Sequence, residues 1–352
     1  AEQLAGFTWL RHLRAAGTPE AAETARRLTL HWMDRAADHK DAPQVRADRI
    51  RAFLGASGLI LAGADAAFYR RFSRMIWRQV RLLEADYPGV PPGADRLAVL
   101  NALVTAGLCV DGEDKLLAWA AARLGRELGR QILADGGHIS RDPTILVSLV
   151  LDLLPLRQLF PARNATPPTA ILTAVDRMMP MIRFFRLGDG TLARFNGAGP
   201  TAIDQVTTAL IYDAGRGTAG RSARHSGYER IEAGAGIVIM DTGAPPPPRL
   251  SGKAHAGCLA FEFSSGRALV VINCGVPALQ TQVWRREARK TAAHSTLTVA
   301  ERSSARFVRR GPAGGAMVQG PRAVACRRDD LTVRASHDGY APRLGIVHHR
   351  VL

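Results

Sequence analysis

Two hydrophobic periods divide the chain. Up to about residue 187 apolar positions recur every three or four residues, the spacing of one helix face. "TPEAAETARRLTLHWMDRAAD" (18–38) opens with Thr18 at the N-cap, Pro19 at the first helical position and acids in the first turn. "DAAFYRRFSRMIWRQVRLLEADY" (65–87) keeps the period and stops before Pro88. "ADRLAVLNALVTAGLCV" (94–110) and "GEDKLLAWAAARLGRELGRQILADGG" (112–137) follow, the second ending on two glycines that predict a helix stop at Gly136-Gly137. "PTILVSLVLDLLPLRQLF" and "PPTAILTAVDRMMPMIRFFRLG" complete the run. Successive helices with short links predict antiparallel helical hairpins.

Beyond residue 187 the period shortens to two and glycine-rich turns multiply. "YERIEAGAGIVIMDTG", "CLAFEFSSGRALVVINCG", "HSTLTVAE" and "DLTVRASHDGY" read as strands, with "SSG" as a hairpin turn. Helices first and strands second predict two domains in series: 1–187 all-α, 188–352 antiparallel β. The closing "GIVHHRVL" reads as a strand in mid-course, and the sheet is expected to continue past residue 352.

Composition adds limits. The 352 residues suffice for one large domain or two ordinary ones, and 47% are hydrophobic, enough for a sizeable core. No run of eighteen apolar residues is free of charge, so no transmembrane helix is expected. The N-terminal stretch reads as an amphipathic helix, not a signal peptide. The net charge of +16 favours an acidic partner. The arginines are scattered singly, however, and no nucleic-acid motif is present, which argues against nucleic acid. Cys109, Cys258, Cys274 and Cys326 lack CxxC spacing. Cys258 and Cys274, on adjacent expected strands, could pair, but buried free thiols are the commoner reading.

Four motifs in order carry a resemblance. "ELGRQILADGGHISRDP" (127–143), "HSGYERIEAGAGIVIMDTG" (225–243), "AHAGCLAFEFSSGRALVVINCG" (254–275) and "TAAHSTLTV" (291–299) resemble motifs of the heparinase II/III superfamily, an uncharacterised bacterial branch of it in particular. The resemblance implies an incomplete (α/α) toroid followed by an antiparallel β-sandwich. It also implies a carbon–oxygen lyase that cleaves acidic, uronate-containing polysaccharides by β-elimination, and by analogy a periplasmic location. The family's chemical positions are substituted here. Ala94 and Asp95 stand for an Asn-His pair, Ile145 for a tyrosine, and Lys253 for a β-domain histidine. The alternative is therefore a non-catalytic protein that binds acidic glycan.

Candidate residues follow from the same motifs. His138, Arg141, Lys253 and Tyr228 are the catalytic candidates. Arg141 could hold a uronate carboxylate bidentately or pair a neighbouring acid. Lys253 could act as a base if its pKa falls. If His138 and Arg141 face the ligand, Arg141→Ala should weaken glycan binding and leave stability nearly unchanged. Arg183, Arg186, Arg194, Asn196 and His225 are the substrate-binding candidates. His255, Asn273 and His294 match the positions of a structural zinc site in some members, with His255 and His294 expected close together on neighbouring strands. Asn in place of a carboxylate predicts weak or absent zinc, and no other cofactor is expected. Substrate, sulfation preference and oligomeric state are left open by these residues.

Overall fold

The computed structural model describes residues 2–35, 41–213, 217–276, 281–308 and 315–352. Helices come first. The longer ones are Pro19–Arg35, Pro43–Gly55, Ala66–Asp86, Ala94–Cys109, Asp114–Gln131, Pro143–Ala162 and Thr169–Phe185. Thr18 caps the first as expected, accepting a hydrogen bond from the Ala21 amide at 3.2 Å. The last three residues expected in that helix, 36–38, lie outside the described residues. Asp65 caps Ala66–Asp86 by accepting from the Phe68 amide at 2.7 Å. A further helix, Ile203–Ile211, has no counterpart in the sequence reading.

Among the described residues ten strands follow: β1 (Ser222–Ala223), β2 (Tyr228–Ala233), β3 (Gly236–Asp241), β4 (Phe261–Ser265), β5 (Ala268–Val271), β6 (Arg306–Phe307), β7 (Met317–Gln319), β8 (Val324–Asp329), β9 (Thr332–Tyr340) and β10 (Ile346–Val351). Every pairing among them is antiparallel. They form a five-stranded sheet in the order β1-β2-β3-β4-β5, a three-stranded sheet β10-β9-β8 and a ribbon β6-β7. Met240 from β3 meets Val333 and Ala335 from β9 in one buried cluster with Cys258 and Leu259. The two larger sheets thus pack face to face, and along β9 the buried residues Val333, Ala335 and His337 alternate with less buried neighbours.

Two expectations are corrected. "HSTLTVAE" forms no strand: a 3-10 turn, Thr291–Ala293, leads into it, and only an isolated bridge joins Val299 to Arg302. The helix expected to run to the paired glycines ends at Gln131. The Cys258–Cys274 pairing does not occur. All four thiols are free, and only Cys258 is buried.

By compactness the chain divides into one unit of Ala1–Glu127 with Asp152–Ile171, and another of Leu128–Leu151 with Leu172–Leu352. This division does not coincide with the change from helices to strands. In the first unit Ala94–Cys109 is buried almost all round. At Gly107 an added Cβ would lie 2.8 Å from the Leu117 backbone, so the next helix approaches more closely than alanine would allow. Phe7 packs on Phe53, ring centroids 4.7 Å apart, and the Arg49 guanidinium covers Trp32 at 4.3 Å. Pro143–Ala162 is, among the described residues, the one helix long and apolar enough to cross a membrane by length and composition. It carries Asp152, which pairs with Arg51, and Arg157.

Candidate functional site

The second unit holds all the candidate residues, and a continuous polar network joins several of them. It starts where Asp114–Gln131 ends. Residues 132–138 form a tight loop closed by the bridge between Ile132 and His138. Gly136 adopts φ +88°, and a Cβ there would fall 1.8 Å from the Arg177 carbonyl oxygen. At Gly137 a Cβ would fall 1.8 Å from Ser226 Oγ. Both positions need glycine, one for backbone sign and both for approach. Asp135 clamps the loop. It accepts from the Ser226 amide and hydroxyl, each at 2.7 Å, and from the Gly137 amide at 3.1 Å.

His138 is 2% exposed and both ring nitrogens are engaged, Nδ1 with Ser140 Oγ at 2.6 Å and Nε2 with Gln131 Oε1 at 3.0 Å. Burial lowers its pKa to about 4, so the ring is neutral at pH 7. A ring held in this way locks the loop to the helix it follows; it does not project from a helix end.

Arg141 is the clearest departure from expectation. It takes φ +63° and turns its guanidinium inward. Nε donates to the Ser226 carbonyl at 2.7 Å, and one terminal nitrogen donates to the Gly243 and Ala244 carbonyls at 3.2 and 3.0 Å. The other donates to the Gly227 carbonyl at 2.9 Å and to Asp241 Oδ1 at 2.6 Å. A guanidinium has five N–H donors, and all five are used. Its plane covers the Tyr228 ring at 4.6 Å. The expectation that Arg141 holds a substrate carboxylate is therefore corrected: Asp241 occupies that role from within the protein.

Tyr228 is fully buried. Its hydroxyl donates to the Arg141 carbonyl at 2.7 Å and accepts from Asn196 Nδ2 at 2.9 Å. Burial pushes the phenol's pKa up, despite the nearby Arg141 charge. With its proton committed to a backbone oxygen, it is placed as a core hydrogen bond and not as a proton donor to a ligand. Asn196, at φ +47°, extends the chain by accepting from the His255 amide at 3.2 Å.

His255 and His294 meet at 2.9 Å, Nδ1 to Nε2. They sit on loops, each following a 3-10 turn, not on the neighbouring strands expected. His294 Nδ1 lies 2.8 Å from the Lys290 carbonyl, which can only accept, so this nitrogen carries the proton. His294 Nε2 therefore accepts from His255 Nδ1, and His255 Nε2 is left buried without a partner among the described residues. Burial holds both rings neutral, His294 at about 4 and His255 well below its usual value. Asn273 stands nearby in the fold, with Oδ1 accepting from the Ser295 amide at 3.0 Å. As a zinc site the set does not fit. His255 Nδ1 and His294 Nε2 bond one another and the Asn273 amide oxygen is engaged, which leaves His255 Nε2 as the one nitrogen of the pair without a bond, and no group of three His, Cys, Asp or Glu suited to a metal occurs among the described residues.

Two buried acids escaped the sequence reading. Glu262, inward on β4, accepts from the Arg194 and Asn273 amides at 3.0 and 2.9 Å, and burial raises its pKa to about 7. Asp142 caps Pro143–Ala162 by accepting from the Thr144 amide and hydroxyl at 2.9 and 2.6 Å. Burial raises it to about 6, opposed by Thr144 and by the charge of Lys253. The acid-before-proline signal could have identified the Asp142 cap; nothing in a lone strand glutamate marks Glu262.

The remaining candidates lie nearer the surface. Lys253 and His225 are exposed, as is Arg186. Arg183 is paired with Asp213, and Arg194 is half-buried with its stem against Gly275. The structure therefore joins His255, His294, Asn196, Tyr228 and Arg141 in one network, while Lys253, His225, Arg183 and Arg186 stand outside it.

Residues 215–352 match the family described as heparinase II/III-like, C-terminal. This C-terminal part of the chain belongs to the heparinase II/III-like family. In fold the chain is similar to heparinase III, with TM-score 0.76, 15% identity, and coverage of 99% of this chain and 60% of that one. It is likewise similar to the heparan sulfate lyase HepC from Pedobacter heparinus, with TM-score 0.64, 17% identity, and coverage of 99% and 59%. A curated relative, FtsZ-localized protein C of Caulobacter vibrioides (strain NA1000 / CB15N), is 31% identical over 98% of this chain and 61% of its own length. The heparinase II/III-like chain thus spans about three fifths of the proteins it matches.

Proposed function

We propose that this heparinase II/III-like chain binds acidic, uronate-containing glycan without cleaving it. One observation carries the reading: the groups expected to drive β-elimination are spent inside the protein. Arg141 has no N–H left for a carboxylate, the Tyr228 proton is given to a carbonyl, and both His138 nitrogens are engaged. β-Elimination needs a group that neutralises the uronate, a base for the C5 proton and an acid for the departing oxygen. The kinship with heparinases and the excess of basic charge support an acidic glycan as the ligand.

A lyase is the second reading, and one observation favours it. Lys253 is exposed and its charge acts on Asp142, whose carboxyl burial raises to about 6, so an amine and a carboxyl lie near one another. Incubation with a panel of uronate polymers separates the two. Retardation of the protein in glycan-loaded gels, with no rise in unsaturated-uronate absorbance, is the expected result. Product absorbance that disappears in Lys253→Ala would establish the lyase. The relative named for its localisation with FtsZ supports a further proposal, that this protein shares that localisation. A fluorescent fusion that stays diffuse while FtsZ rings are present would refute it.

A further inference from the structure

The helix Ala66–Asp86 carries Arg70, Arg71, Arg74, Arg78 and Arg81, and it has no acid between Ala66 and Leu83. Its apolar face is turned into the protein: Phe68, Phe72, Ile76, Val80 and Leu83 are buried, at steps of four and three residues. Arg70, Arg74 and Arg78 recur every fourth residue on the other side, and all three are exposed. Helix geometry makes them one row, about 6 Å from each to the next along the axis and about 12 Å from end to end. Arg74 lies back along this row, its Nε donating to the Arg70 carbonyl at 3.3 Å. Trp77 flanks the row, 36% exposed, with the Arg81 guanidinium over its ring at 4.4 Å.

The acids around this helix are engaged with other groups. Asp34 pairs with Arg71, Glu84 and Glu113 pair with Arg81 at 2.7 and 3.0 Å, and Asp86 pairs with Arg46. Asp65 caps the helix through the Phe68 amide. Among the described residues no carboxylate forms an ion pair with Arg70, Arg74 or Arg78. Like charges four residues apart destabilise a helix, and this row holds two such pairs in succession where an acid at the middle position would have been favourable. An anionic chain laid along the row removes the repulsion and gains a contact at each turn. A compact anion would meet one guanidinium only, whereas a linear polymer with charges at intervals meets all three. A lipid surface suits the row less. A helix that lies in a membrane interface turns its apolar face to the lipid, and here that face is buried in protein.

We propose that the outward face of Ala66–Asp86, along Arg70, Arg74 and Arg78, is a surface on which the chain holds a linear acidic glycan. The proposal rests on the glycan reading above and places its ligand on the helical unit, away from the buried network. The test is calorimetric titration of the full chain with heparan sulfate and with polygalacturonate at low and at physiological salt. The variants are Arg70→Gln/Arg74→Gln/Arg78→Gln and, as a charge-matched control, Arg322→Gln/Arg327→Gln/Arg334→Gln, three exposed arginines of the β-sheet unit. The helix variant is expected to bind about tenfold more weakly, with a shallower loss of affinity as salt rises, and the control to stay within about twofold of wild type. Its melting temperature is expected to equal or exceed that of wild type, because two repulsive pairs are gone. Wild-type binding that the helix variant retains in full, or an equal loss in both variants, overturns this proposal and leaves the glycan reading standing. Absence of binding by wild type to either polymer overturns the glycan reading and this proposal with it. An oligothymidylate or phosphatidylglycerol vesicles that bind as tightly as the glycan, with the same loss in the helix variant, would assign the row to another polyanion and overturn the glycan as its occupant.

Discussion

At the scale of single residues, the strongest consequence concerns Arg141. Removing its side chain would leave the buried Asp241 without its counter-charge and take a donor from each of four carbonyls. Breaking a buried pair from one side costs about 3–5 kcal/mol, because the remaining charge has neither partner nor water. Arg141→Ala is thus expected to lower stability by about that amount in urea unfolding and to leave acidic-glycan affinity unchanged in the fraction that folds. Arg141→Lys should recover little, since an ammonium has three donors where five are used. A variant as stable as wild type that loses glycan binding would return Arg141 to the ligand. The sequence displayed this arginine plainly, at a helix break beside an acid. It could not display the acceptors, which are backbone carbonyls from residues about a hundred positions away.

At the scale of elements, the N-terminus of Pro143–Ala162 offers a separable test. Asp142 caps the helix through Oδ1, a bond that an asparagine oxygen makes equally well. Its carboxyl is at about 6 in the folded chain, above the usual 3.8. A raised carboxyl binds its proton more tightly folded than unfolded, so the ionised form costs stability as pH rises past the unfolded value and through about 6. Asp142→Asn keeps the cap and removes that cost. We expect a gain of about 1–3 kcal/mol at pH 7, fading to nothing near pH 4. Equal effects at both pH values would mean that the carboxyl is not buried as described. The loop before this helix makes a second test: Gly137→Ala must displace Ser226, whose Oγ would sit 1.8 Å from the new carbon, and should destabilise the protein by about 1–3 kcal/mol in thermal melts.

For the molecule as a whole, buried neutral imidazoles set the acid limit. His138, His294 and His337 are held at about 4, and His255 and His348 are lowered, in each case chiefly by burial. His337 and His348 form a second histidine pair, Nε2 to Nδ1 at 3.2 Å, across β9 and β10. Between about 4 and the ordinary 6.5 the unfolded chain binds more protons at these rings than the folded one, so stability falls as pH drops through that window. Each ring contributes a slope approaching about 1.4 kcal/mol per pH unit. Asp142 and Glu262, held at about 6 and 7, act in the opposite sense, as do the raised carboxyls of Asp48 and Asp241, four against five. A net acid-side loss is expected in urea midpoints measured from pH 7 to 4. His337→Gln should flatten it by about one ring's share, and an unaltered slope would show that this ring is protonated in the fold.

Local pattern was enough to determine the order of helices and strands, the cap at Thr18, the hairpin of β4 and β5, and the resemblance to the heparinase II/III superfamily. Each of these is written in residues a few positions apart, where periodicity and turn chemistry act. The closeness of His255 and His294, thirty-nine positions apart, was expected from the family resemblance and not from local pattern. What the tertiary structure alone decided is the use made of each polar side chain. Arg141, Tyr228 and His138 have the chemistry of a site, and only the distant partners at Ser226, Gly243, Asn196 and Gln131 turn them to structural ends. Hydrogen bonds and charge act through space over a few ångströms, and a sequence orders residues only along the chain.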